Sequence, residues 1–195
     1  MTVLSINTTN SVFRSTDTPS EPLSDLDILR QVIPDNCSLD DKKDLRQQKC
    51  DIVDKFIKER RADSTLDLTK VSLGSIDLSG IDLHKVNMKH SKMSMVNLES
   101  ANLEHAKLNI ITMSHANLAN TSLKWADLSH SNLSEACLIS ANLFNAKLEK
   151  TNLRNAKLEF AYLNGVNFNH ADLSNANLKE AYLHEFRTNK KTLYF

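Results

Sequence analysis

Residues 116–128 read Ala116-Asn117-Leu118-Ala119-Asn120-Thr121-Ser122-Leu123-Lys124-Trp125-Ala126-Asp127-Leu128, with Leu at every fifth place. Followed outward, that spacing runs from Leu68 to Leu183 without a gap: 24 positions, 20 of them Leu and the others Met88, Met93, Met113 and Phe168. Two residues before each stands a smaller partner, Ala in 12 cases, and the residue between the two is Asp or Asn in 14. The unit is Ala-(Asp/Asn)-Leu-x-x, as in Ala171-Asp172-Leu173.

A helix cannot use this period, because five residues advance about 500° and would carry Leu around every face. A plain strand cannot use it either, since an odd period alternates Leu between the two faces. A short extended segment followed by a corner can. The two residues flanking Asp/Asn then point inward, the other three point outward, and the repeated corners wind the chain into a solenoid.

These repeats resemble the pentapeptide-repeat family, whose repeats wind four to a coil into a right-handed quadrilateral β-helix. The resemblance covers residues 66–185 and implies an all-β solenoid of six coils: 66–85, 86–105, 106–125, 126–145, 146–165 and 166–185. At the strand spacing of about 4.8 Å the rod would be roughly 30 Å long. Leu66, Val71, Ile76, Ile81 and Val86 replace the expected Ala and should broaden the N-terminal end of the core. That end needs a cap.

The composition fits and excludes. Lys and Arg number 24 against 24 Asp and Glu, so the 195-residue chain is formally neutral, which speaks against a basic nucleic-acid binder. Only 3 Gly are present, which excludes a Gly-rich phosphate loop and reads as corners with little demand for Gly. No apolar run is long enough to span a bilayer, and no basic-then-apolar leader opens the chain. Cys37, Cys50 and Cys137 are odd in number without CxxC spacing, as suits reduced thiols.

Four regions follow. Residues 1–22 are rich in Ser and Thr and are expected to be disordered. Residues 23–63 should form a small α-helical N-terminal cap: one helix from Ser24 to Ile33, N-capped by Ser24 and ended by Pro34, and a second from the capping-box-like Ser38 to about Arg61. Leu45, Ile52, Val53, Phe56 and Ile57 share one face of the second helix, which should lie on the first coil, while Lys58, Arg60 and Arg61 suit its C-terminal dipole. Residues 64–186 are the β-helix. Residues 187–195 form a tail beginning where Thr188 takes an apolar place, with Phe186 as a plug for the core.

Residues 20 apart should stack, so the surface reads as columns. Lys70, His90, Ile110, His130, Lys150 and His170 form one, but its histidines are 40 residues and so roughly 10 Å apart, too far for one metal ion. Lys107, Asp127 and Lys147 read as a charge ladder. No metal site, cofactor site or catalytic set is marked, and the reading is of a chain that is not an enzyme. The informative residues are outward aromatic and apolar side chains: Trp125, Phe144, Tyr162 and Tyr182 on the fourth side, with Ile139 and Phe160 beside them. With the core filled by Leu and Ala, they have no packing duty and read as a surface for a protein partner or for self-association.

The resemblance implies three functions. One is a non-catalytic interaction scaffold, as in bacterial effectors delivered into host cells behind an unstructured secretion signal, which residues 1–22 are similar to; its protein partner would be a host protein, and the chain itself cytoplasmic or secreted without a cleaved signal. Another is a DNA-mimic topoisomerase-binding protein conferring quinolone protection; here residues 66–185 carry 12 Asp/Glu against 11 Lys/Arg, without the acidic field such mimicry needs. The third is the repeat part of an effector ubiquitin ligase, for which this sequence shows no catalytic lobe.

Overall fold

The computed structural model describes residues 24–34, 36–59 and 65–188. The readings of residues 1–22, of Arg60 and Arg61, and of the tail beyond Thr188 lie outside the described residues.

From Asp67 to Arg187 the chain meets itself again every 20 residues. Twenty-one parallel bridges follow one another at five-residue steps, from Asp67 with Asn87 to Asn167 with Arg187. Four pentapeptides therefore make one layer, and each layer pairs with the next through single bridging residues. The ladder continues to Arg187, whose N–H donates to Val166 O at 2.8 Å.

The repeat 126–130 shows where its five backbone N–H groups go, and therefore why the motif has its residues. Ala126 N donates to Leu123 O at 3.1 Å and closes the corner. Asp127 N reaches Ala106 O of the preceding layer at 2.9 Å, while Leu128 N and His130 N reach Lys147 O and Glu149 O of the next, both at 2.8 Å. Ser129 N alone has no carbonyl to meet. It donates to the Asp127 carboxylate at 3.1 Å, an Asx turn. The same bond, at 3.0–3.2 Å, recurs at thirteen of the 14 Asp/Asn positions. Asn87 is the exception, its Oδ1 buried without a partner.

Every corner from Lys70 to Glu185 places one residue at positive φ, between 54° and 72°. Only Gly80 and Gly165 are glycines; the other 22 are not. The scarcity of Gly thus does not reflect corners without demand for left-handed backbone. It reflects corners filled by other residues, nine of them Asn or His, types that tolerate this region. Five of the seven histidines sit at such corners, including His90, His130 and His170, so their column follows from backbone conformation.

From Leu68 to Leu173 the inward positions are buried along the axis as expected, Val71, Ile76, Val86 and Phe168 among them, with Ile81 only partly so. The last layer departs from the expectation: Ala176, Leu178, Ala181 and Phe186 are only partly buried against the core, and Leu183 is 36% exposed. Ser91, Thr121, Ser131 and Thr151 are also buried, and each hydroxyl donates to a backbone carbonyl at 2.7–3.0 Å, so none is left unsatisfied.

Two helices close the N-terminal end. Helix α1 spans Asp25–Arg30, with Ser24 Oγ accepting from Asp27 N; it stops at Gln31, well before Pro34 and shorter than the expected Ser24–Ile33. Helix α2 spans Leu39–Glu59, and Ser38 forms the expected capping contact with Asp41. Ile52 and Val53 of α2 and Leu29 of α1 are buried in the same core as the first layer, with Phe56 and Ile57 packed against it. Ser72 N donates to Leu29 O at 2.7 Å, so α1 supplies a carbonyl that a preceding layer would have supplied.

Ile110 is a β-branched residue at φ 61°, where such side chains are least at ease. We expect Ile110→Asn to raise stability by about 1 kcal/mol in thermal or denaturant unfolding. An unchanged or lower melting temperature would show that the corner carries no such strain.

Candidate functional site

The aromatic side chains fall into two ring clusters on the side that carries Leu123, Leu143, Leu163 and Leu183. Trp125 lies flat against His105, 20 residues earlier, with centroids 4.9 Å apart and planes 5° off parallel. Phe144 meets Trp125 edge-on at 5.6 Å. Tyr162 and Tyr182, again 20 residues apart, stack at 4.8 Å. Phe160, at a corner with φ 59°, and the half-buried Ile139 stand outside both clusters.

This corrects the premise that the outward aromatics have no packing duty. They pack on one another between layers, because the 20-residue repeat sets stacked side chains at close to ring-stacking distance. They nevertheless stay open to solvent: Trp125 is 43% exposed and Tyr182 53%. His105 belongs to the first ring cluster as fully as Trp125 does. Its signal was its place one layer below Trp125 in the same column.

The electrostatics around the first cluster are local. Lys124 pairs with Glu104 at 2.9 Å, and Ser122 Oγ donates to the same carboxylate oxygen at 2.9 Å. The Lys124 hydrogen bond, followed by that from Ser122, holds the Glu104 carboxyl below its usual range. Arg154 and Asp172 make a second pair between layers at 3.3 Å. Lys107, Asp127 and Lys147 are linked through backbone bridges, and among the described residues no ion pair runs along that column.

Elsewhere the chemistry is sparse. An open cleft of about 510 Å³ lies between α2 and the first layer, lined by Gln47, Cys50, Asp54 and Asp77 among others. Cys50 Sγ donates to Asp77 O at 3.3 Å, and burial is the main cause pushing its thiol pKa up, so it is no activated nucleophile. Among the described residues no three His, Cys, Asp or Glu side chains group to hold a metal ion, and no helix is long and apolar enough to cross a membrane.

A chain of five-residue repeats bridged at 20-residue intervals defines a pentapeptide solenoid. Comparison with known families agrees: the pentapeptide repeats model matches in 8 copies over residues 67–104, 97–134, 106–143 and 141–179, more than half of the chain. The chain belongs to the pentapeptide repeat family, whose members are in general non-enzymatic structural or interaction proteins built as quadrilateral β-helices. Among solved structures it is similar to Rfr23, a pentapeptide repeat protein of the cyanobacterium Cyanothece 51142, at 26% identity and TM-score 0.41, over 60% of this chain and 91% of that one. It is also similar to a pentapeptide repeat protein of the Arabidopsis thaliana thylakoid lumen, at 27% identity and TM-score 0.33, over 56% and 69%. A third similarity is to QnrB1, a plasmid-mediated fluoroquinolone resistance protein, at 16% identity and TM-score 0.35, over 64% and 84%. No curated protein matches the chain.

If the rings contribute through mutual contact, Trp125→Ala and Phe144→Ala should be non-additive. We expect a coupling of about 0.5–1.5 kcal/mol in a double-mutant cycle followed by urea unfolding. Strictly additive costs would mean that the rings pack independently.

Proposed function

We propose that this protein is a non-catalytic interaction rod, a right-handed quadrilateral β-helix of six coils, which presents Trp125, Phe144, Phe160, Tyr162 and Tyr182, with Ile139 at their edge, to a protein partner. The observation that carries this reading is the placement of Trp125 and Phe160. Both occupy left-handed corners, at φ 55° and 59°, with 43% and 42% of their surface exposed. A bulky aromatic at such a corner costs stability that Asn would spare, and half of its apolar surface returns nothing through burial. Partner binding supplies the missing gain, since aromatic side chains dominate interface energetics.

The surroundings suit a protein surface. Residues 137–145 and 160–165 contain no charged side chain, in a chain that is 25% charged. The near balance of 12 acidic and 11 basic residues over 66–185 speaks against imitation of DNA. Delivery into a host cell belongs to the same reading and rests on the Ser/Thr-rich composition of residues 1–22.

Two measurements test it. The full chain and its Trp125→Ala/Phe144→Ala variant, checked for equal folding at the working temperature, are used as bait in host-cell lysate beside a control variant, Lys70→Ala/Lys150→Ala. The aromatic variant should lose the retained protein and the lysine variant should keep it; equal recovery from both sinks the aromatic surface. For delivery, a reporter fused behind residues 1–30 should leave a secretion-competent cell. Retention of the reporter removes the effector role and leaves the interaction rod intact.

A further inference from the structure

Lys49 is wholly buried, yet its hydrogen bonds all go to backbone carbonyls. Its Nζ donates to Gln31 O, to Ser72 O at 2.5 Å and, more weakly, to Leu29 O at 3.5 Å. Two of these acceptors belong to the C-terminal end of α1, whose last carbonyls have no partner within the helix. The third belongs to the first layer of the solenoid. One ammonium therefore ties together α2, α1 and the first layer.

Comparison with an interior layer shows what it replaces. Lys92 stands one layer above Ser72; its N–H donates to Val71 O at 2.9 Å, and its carbonyl accepts from Leu73 N at 2.8 Å. Ser72 has no layer beneath it. Its N–H donates instead to Leu29 O, and its carbonyl accepts from Lys49 Nζ. The end of α1 and the Lys49 ammonium together imitate the missing layer at this one side.

We infer that Lys49 is the latch of the helical cap: its ammonium fixes where α1 and α2 sit on the first layer, and without it the cap leaves the Ser72 edge. The apolar stripe of α2, with Ile52, Val53 and Phe56, attracts the core but is non-directional, so it does not select one seat. Three carbonyls converging on one nitrogen do select one. A buried charge adds little net stability, because desolvation offsets its bonds, but removing it strands its partners. Burial pushes the Lys49 pKa down to about 8, which leaves the group charged at neutral pH.

The test uses the full chain with Cys37→Ser and Cys137→Ser, so that Cys50 is the only thiol. Cys50 Sγ donates to Asp77 O across the same interface and reports cap seating by its labelling rate. Amide exchange at Ser72 reports the edge itself. Lys49→Met keeps length and apolar volume but removes every donor, whereas Lys49→Gln keeps two N–H donors. We expect Ser72 exchange and Cys50 labelling to rise on the order of tenfold in Lys49→Met and by less in Lys49→Gln. The amides of Leu148 and Leu153, which donate across distant layers, should stay as protected as in the parent. Parent-like values in Lys49→Met would show that apolar packing alone seats the cap. Lys49→Gln opening as far as Lys49→Met would show that donors are not what holds it, and loss of protection at Leu148 and Leu153 would mean that Lys49 supports the whole fold; either overturns the latch.

Discussion

One amide in each repeat has no backbone carbonyl within reach, and most of the motif follows from that. In the repeat 126–130 four N–H groups are absorbed by the corner and by the neighbouring layers, and the fifth, on Ser129, has only the Asp127 side chain. Leaving it unpaired would cost about 1–3 kcal/mol wherever water is excluded. Multiplied along the rod, that selects a short side chain with an acceptor oxygen two residues earlier. Asp and Asn meet this need by geometry, independently of charge. The surface can therefore stay neutral overall while keeping an acidic or amide residue in most repeats.

The corners show the same balance of small terms. A non-glycine residue at positive φ costs about 1–2 kcal/mol, but glycine would lose about 0.5–1 kcal/mol more in conformational entropy on folding. The difference is small beside the corner bond and the two interlayer bonds that flank it. The position consequently accepts Lys, Ser, Glu, Met and Trp as well as Asn and His. A turn that elsewhere advertises itself by Gly goes unannounced here.

That is also why some features were legible and others not. The period of Leu and the 20-residue columns stand in the letters, and they locate the core and the stacked pairs His105 with Trp125 and Tyr162 with Tyr182. Phe144 is 19 residues from Trp125 and meets it across columns, so side-chain reach, not register, makes that contact. Left-handed corners have no compact residue signature once so many types are tolerated. Lys49 was hidden by its own chemistry, since a lysine on an amphipathic helix ordinarily faces water. Its spacing from Leu45, Ile52 and Val53 put it on the buried stripe all the same.

The aromatic side of the rod combines packing between layers with exposure to solvent. In a solenoid each layer touches only its neighbours, so stacking between layers strengthens the nearest-neighbour coupling on which stability depends. Trp125 uses one face on His105 and receives the edge of Phe144, and Tyr162 and Tyr182 cover one face of each other. Each ring keeps surface open to solvent all the same: Trp125 is 43% exposed and Tyr182 53%. On the proposed reading, it is this remaining open ring surface that a protein partner covers. Ring edges carry the positive end of the aromatic quadrupole, and the indole N–H is a donor only. Tyrosine hydroxyls, by contrast, both donate and accept, so the polar part of such a surface does not select acceptors alone, and on the proposed reading the apolar area of the rings carries the binding.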